Sequence, residues 1–218
     1  MISAMPELAT GLTNILIIVS AFGCMLWLRK FNNVQLWQAL FIVVTLCGLM
    51  GCITHCFIFT EKTELTLWII LDILLGASVT LLSLASINQC VGHATWQATL
   101  ATTLLGIITV FFMVRSEITD GSFNYPACIV TAFLAVASLA TDCAIQVHRI
   151  KGLAKFGLVL PGIAIMLAAG IPCIWFKYSF SIGQIIINQS AVLHTAIAIA
   201  FPFLCKGVSS LLLQSQTA

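Results

Sequence analysis

Four ionisable side chains, His55, Asp72, Asp142 and His194, stand inside apolar stretches of this chain. A charge at the centre of a membrane helix costs about 2.5 to 3.5 kcal/mol on insertion scales, so each position asks for a reason. An imidazole beside a carboxylate can accept or relay a proton, activate water, or ligate a metal with the carboxylate as a further ligand or second shell. His55, Asp72 and His194 are the predicted catalytic set, and the same three are the predicted ligands if zinc binds. Asn14, with Thr10 and Thr13 about a turn or less away, and Asn188 are the predicted ligand-binding amides of the same polar pocket. The competing reading is a hydrogen-bonded cluster that only fixes helix packing.

Cys52, His55 and Cys56 fall at i, i+3 and i+4 and share one helix face. A thiolate-imidazole metal site is conceivable there, but a closed zinc site takes about four ligands and this face supplies three. The nine cysteines lie mostly inside apolar runs with no paired loop pattern, and read as small packing residues.

The elements that must position these groups follow from composition. Of 218 residues, 61% are hydrophobic and 7% charged, against roughly a quarter charged in a soluble domain. The runs Leu8 to Leu28, Leu36 to Phe59, Leu65 to Ile87, Trp96 to Met113, Asn124 to Gln146, Phe156 to Phe176 and Ile185 to Cys205 each approach the ~20 residues that a transmembrane helix needs. They are too long for membrane strands and lack period-2 alternation, which excludes a barrel. The expected fold is all-α: a single bundle of seven transmembrane helices. Small residues in the third run, among them Gly76, Ala77, Ser78, Ser83, Ala85 and Ser86, predict a closely packed element. Pro161, Pro172 and Pro202 each remove a helical hydrogen bond and predict local kinks or compensation by neighbouring helices.

Basic residues are retained on the cytoplasmic side, and here they divide unevenly. One side holds Arg29, Lys30, Arg149, Lys151, Lys155 and Lys206; the other holds Lys62, Arg115 and Lys177, with Glu7, Glu61, Glu64, Glu117 and Asp120. This places the N-terminus outside and the C-terminus in the cytoplasm. Trp27, Trp37, Trp68, Trp96 and Trp175 fall near predicted helix ends, as interfacial indoles do. The first run has its charges, Arg29 and Lys30, after it and reads as a retained span rather than a secretory signal.

In that frame His55 lies roughly 6 Å, Asp72 roughly 10 Å and His194 roughly 13 Å below the outer end of their helices, with Asn14 at a similar depth. Groups from three helices can therefore meet in a pocket open to the outside. Asp142 lies near the inner end of its helix and is expected to pair with His148 and Arg149.

A His late in the second helix, an Asp early in the third and a His in the seventh resemble the superfamily of alkaline ceramidases and progestin and adiponectin receptors. Gly51 to Phe57, and Asn188 through His194 to Phe203, look closest to uncharacterised bacterial seven-helix membrane proteins distantly similar to that superfamily. In its hydrolases, the resemblance implies, zinc is held by the helix-2 His and by two His four apart in helix 7, and a Ser stands four residues before the helix-2 His. Here that Ser position is Gly51, and the residues flanking His194 at four are Ser190 and Ala198. The resemblance implies a pocket between helices 2, 3 and 7 for a lipid or another amphipathic molecule. If the chain is bacterial, its membrane is the cytoplasmic (inner) one.

Three functions compete. The first is a multi-pass protein that binds a lipid or amphipathic ligand without catalysis. The second is a membrane hydrolase acting on lipid amides or esters through His55, Asp72 and His194. The third is a small proton-coupled transporter, although no internal repeat supports it. Membrane lipids are the expected partners. Nucleic acid is not expected, since the basic residues form no run. A retinal pigment needs a lysine in mid-helix 7, whereas Lys206 falls at the predicted cytoplasmic end.

Overall fold

Where no water can reach the backbone, a chain this apolar must satisfy its own amides, and helices do so within one segment. The computed structural model describes residues 7–32, 34–91, 96–120, 162, 164–166, 168, 179–183 and 185–215. Those residues form α1 (Leu8–Leu28), α2 (Gln35–Cys56), α3 (Glu61–Val91) and α4 (Trp96–Asp120), then a hairpin of β1 (Ser179–Ile182) and β2 (Ile185–Asn188), then α5 (Gln189–Ser215). All five helices contain stretches long and apolar enough to cross a membrane, which marks the chain as a membrane protein. The predicted spans Asn124 to Gln146 and Phe156 to Phe176 lie outside the described residues, apart from isolated helical positions such as Gly162 and Met166.

α1 packs against α2 on one side and α5 on the other. Against α2 it runs antiparallel: a Cβ on Gly48 would stand 3.1 Å from the Asn14 carbonyl oxygen, one on Gly51 would stand 2.8 Å from the Asn14 side-chain nitrogen, and one on Gly11 would run into Cys56 Sγ. Glycine at these positions permits the close approach. Against α5 it runs parallel, tied by Thr10 to Asn188 (2.9 Å), the Ser20 hydroxyl to the Ala198 carbonyl (2.7 Å), the Cys205 thiol to the Cys24 carbonyl (3.6 Å) and the Trp27 indole to Ser209 (3.4 Å). Between these ties Ile17, Ala21, Met25 and Leu28 bury against Trp37, Leu40 and Phe41 of α2 and Phe201, Leu204 and Val208 of α5. The Phe41 and Phe201 rings meet edge to face at 5.6 Å.

Pro202 stands inside α5 and cannot donate to the carbonyl four residues back, that of Ala198. Ser20 supplies the missing donor from α1. The expected compensation by a neighbouring helix thus falls on one named hydroxyl.

Several boundaries differ from expectation. The last helix begins at Gln189 rather than Ile185, because Ile185–Asn188 pairs with Ser179–Ile182 in a hairpin whose turn residue Gly183 has φ +63°. Hydropathy alone cannot separate three isoleucines in a strand from three in a helix. Asn188 then caps the helix, its Oδ1 accepting from the Ala191 amide at 2.9 Å. α2 ends at Cys56, three residues short of Phe59, where Phe57 turns extended (φ −122°, ψ 152°). α3 runs beyond Leu65–Ile87 at both ends, Glu61 and Glu64 suiting its positive N-terminus. α4 continues past Met113 to Asp120, since nothing in Arg115-Ser116-Glu117 breaks a helix. Trp37 belongs to the core, at 3% exposure, rather than to an interfacial belt, whereas Trp96 is largely exposed.

Candidate functional site

The ends of α1, α2 and α5 that meet near Glu7 carry most of the predicted polar residues. His55 is the last but one residue of α2, so it lies nearer the helix end than its predicted depth. Its Nδ1 donates to Glu7 Oε2 just before α1. Its ring also stands edge-on to Trp68 of α3, with centroids 5.3 Å apart. His194, in the second turn of α5, has its ring centroid 6.4 Å from that of His55. It meets the backbone of Thr10. Its Nδ1 is buried with no hydrogen-bond partner among the described residues. The hydrogen bond from His55 holds the Glu7 carboxyl below its ordinary value, against an opposing push from partial burial, and charge on either histidine adds to the lowering.

Alongside the histidines stand short polar groups. The Asn14 side-chain amide donates to the Thr10 carbonyl at 3.1 Å and packs on the face of Gly51. The Thr13 hydroxyl donates to the same carbonyl at 2.9 Å. The Thr10 hydroxyl donates to Asn188 Oδ1, which also caps α5. Asn188 therefore spends its oxygen on structure: it fixes where α5 starts and where α1 sits against it.

Asp72 is buried in α3, at 0% exposure, and neither of its oxygens has a partner among the described residues. The charge that acts on it is Glu117 of α4. The structure thus joins the two histidines to each other and to Glu7, and sets Asp72 with Glu117. Asp142, with His148 and Arg149, lies outside the described residues.

Two acidic residues read in the sequence only as loop charges. Glu7 could have been found from the level at which a residue preceding the first helix meets a histidine ending the second. Glu117 could have been found from its spacing, since Gly106, Thr109, Met113 and Glu117 form one buried helical face.

Zinc does not fit what the described residues offer. Among the described residues no three His, Cys, Asp or Glu side chains converge as a metal requires. The Cys52 and Cys56 sulfurs lie 4.0 Å apart as free thiols, so the predicted Cys52-His55-Cys56 face does not close into a metal site. A serine at position 51 would not fit either, since the Asn14 carboxamide fills the space its side chain would need, 2.8 to 2.9 Å from an ideal Cβ.

Chemically, the arrangement offers a carboxylate-imidazole pair with a second imidazole whose Nδ1 has no partner among the described residues. A neutral imidazole that donates through one nitrogen presents the other as an acceptor. No curated protein and no solved structure matches the chain. Over residues 9–213 it matches a family of unknown function, DUF6962, and it belongs to that family.

Proposed function

We propose that this chain is a seven-helix membrane protein, N-terminus outside and C-terminus in the cytoplasm, that receives the polar end of a lipid or other amphipathic ligand among Glu7, His55 and His194. The observation that carries the reading is the buried Nδ1 of His194, unpartnered among the described residues, beside a His55 already committed to Glu7. Buried polar atoms are rarely left without a partner. A ligand hydroxyl or amide N–H supplies the donor that this nitrogen lacks.

Helix direction supports the span count. α4 returns to the Glu7 end of the bundle, and α5 starts from that end parallel to α1, so the chain between them crosses an even number of times. The predicted spans Asn124 to Gln146 and Phe156 to Phe176 satisfy that parity, and the basic residues place the Glu7 end outside.

Hydrolysis is the weaker reading. Water activation through His55, Asp72 and His194 requires all three within hydrogen-bond or one-water reach of one point, and among the described residues neither Asp72 oxygen bonds either histidine. The test is native mass spectrometry of protein extracted with its lipids, comparing the natural chain with His194→Leu. The reading predicts a retained lipid or amphipath on the natural chain and its loss from the folded variant. Equal retention by both, or by neither, refutes it.

A further inference from the structure

The seam between α3 and α4 carries titratable groups that the histidine cluster does not use. Its register follows from two glycines: Val110 fills the Cβ position of Gly76, and Thr80 that of Gly106. The helices therefore run antiparallel with 76 opposite 110 and 80 opposite 106. Continued at about 1.5 Å per residue, this sets Asp72 level with residue 114 and Glu117 about 4.5 Å nearer the Glu7 end. Asp72 and Gly76, at i and i+4, share the face turned to α4. Glu64, exposed in the first turn of α3, is the charge that acts on Glu117. Three carboxyls thus descend the seam, from exposed Glu64 through Glu117 at 7% exposure to Asp72 at 0%.

Two buried carboxylates this close cannot both stay charged without a positive partner. The other charged and titratable groups on these packed helices are Glu61, Lys62 and Cys90 on α3, Arg115 and Asp120 on α4, and Cys47, Cys52, His55 and Cys56 on α2. Lys62 and Arg115 are exposed, and His55 is engaged with Glu7. Among the described residues none of them bonds Asp72. Among the described residues no fixed positive charge meets the pair, which leaves a mobile one to compensate it. Hard metal ions take about six to eight oxygen ligands, and no cluster of three metal-ligating side chains stands here among the described residues. A proton needs a single oxygen.

We infer that Glu64, Glu117 and Asp72 form a proton path from the Glu7 end of the bundle into the α3–α4 seam, with Asp72 and Glu117 sharing one proton at its inner end. Each step breaks an O–H bond on one carboxyl and forms one on the next, through water where the gap requires it, so net charge is conserved and no redox partner is needed.

Infrared difference spectroscopy on the full chain in lipid nanodiscs tests this. The inference predicts a protonated-carboxyl band at neutral pH that shifts in D2O, is lost or displaced in Asp72→Asn, and exchanges more slowly in Glu64→Gln. Should Asp72→Asn fail to fold, Glu117→Gln reads the same band from the other partner. Absence of the band from the natural chain overturns the proposal, as does its survival unchanged in both inner variants. Its disappearance on adding sodium or calcium at constant pH also overturns it, by making the seam a cation site.

Discussion

Near the Glu7 end of the bundle, two polar groupings solve the problem of buried charge in opposite ways. Between α1, α2 and α5, unlike groups meet: Glu7 accepts from His55, and His194 faces both. Along the α3–α4 seam, like groups meet: among the described residues the charge that acts on Asp72 is the acidic Glu117. Among the described residues the first grouping lacks a hydrogen-bond donor and the second a positive charge; in the readings proposed above, an amphipathic ligand completes one and a proton the other. Glycine makes both possible, through Gly11, Gly48 and Gly51 in the first and Gly76 and Gly106 in the second.

The comparison breaks most severely where helices touch through glycine. Gly51→Ser places a side chain where the Asn14 carboxamide lies, and overpacking of this kind costs about 2 kcal/mol. Thermal unfolding in nanodiscs checks it, and the loss should shrink when Asn14→Ala is present. A change away from both groupings calibrates this. Ser20→Ala leaves the Ala198 carbonyl unpaired and should cost about 1.5 kcal/mol. Pro202→Ala supplies the backbone N–H that a regular helix would direct at this carbonyl, so the double variant should recover most of that loss.

Breaking the unlike pair should cost less. His55→Ala removes the partner of a carboxyl whose side chain is 42% exposed, so solvent screening limits the loss to about 1 kcal/mol. Acid provides the smallest effect. The Glu7 carboxyl is held below its ordinary value of 4.5, so its contribution is complete above that value and is lost as the pH falls through the lowered one. The stability difference between the natural chain and Glu7→Gln should therefore be constant near neutrality and close only in acid.

Hydropathy located α1 to the residue, because its ends coincide with a switch from apolar to charged sequence at Glu7 and Arg29. The start of α5 was not legible in the same way, since Ile185 to Ile187 are apolar in either conformation. The usable signals were Gly183 in a turn and Asn188 as a cap. The histidines were legible as residues out of place in a membrane. Their pairing was not, because depth fixes only one of the two coordinates of a helical side chain and azimuth is set by packing. Glu7 and Glu117 were hidden by assignment to loops; Glu117 became visible only once α4 extended past Met113.

The most direct test of the histidine cluster is nitrogen NMR of histidine-labelled protein in nanodiscs, with the four histidines assigned by single His→Gln variants. The account predicts a protonated Nδ1 on His55, and an unprotonated Nδ1 on His194 whose resonance moves when bound lipid is stripped. A His194 Nδ1 that is protonated, or indifferent to lipid, would contradict it.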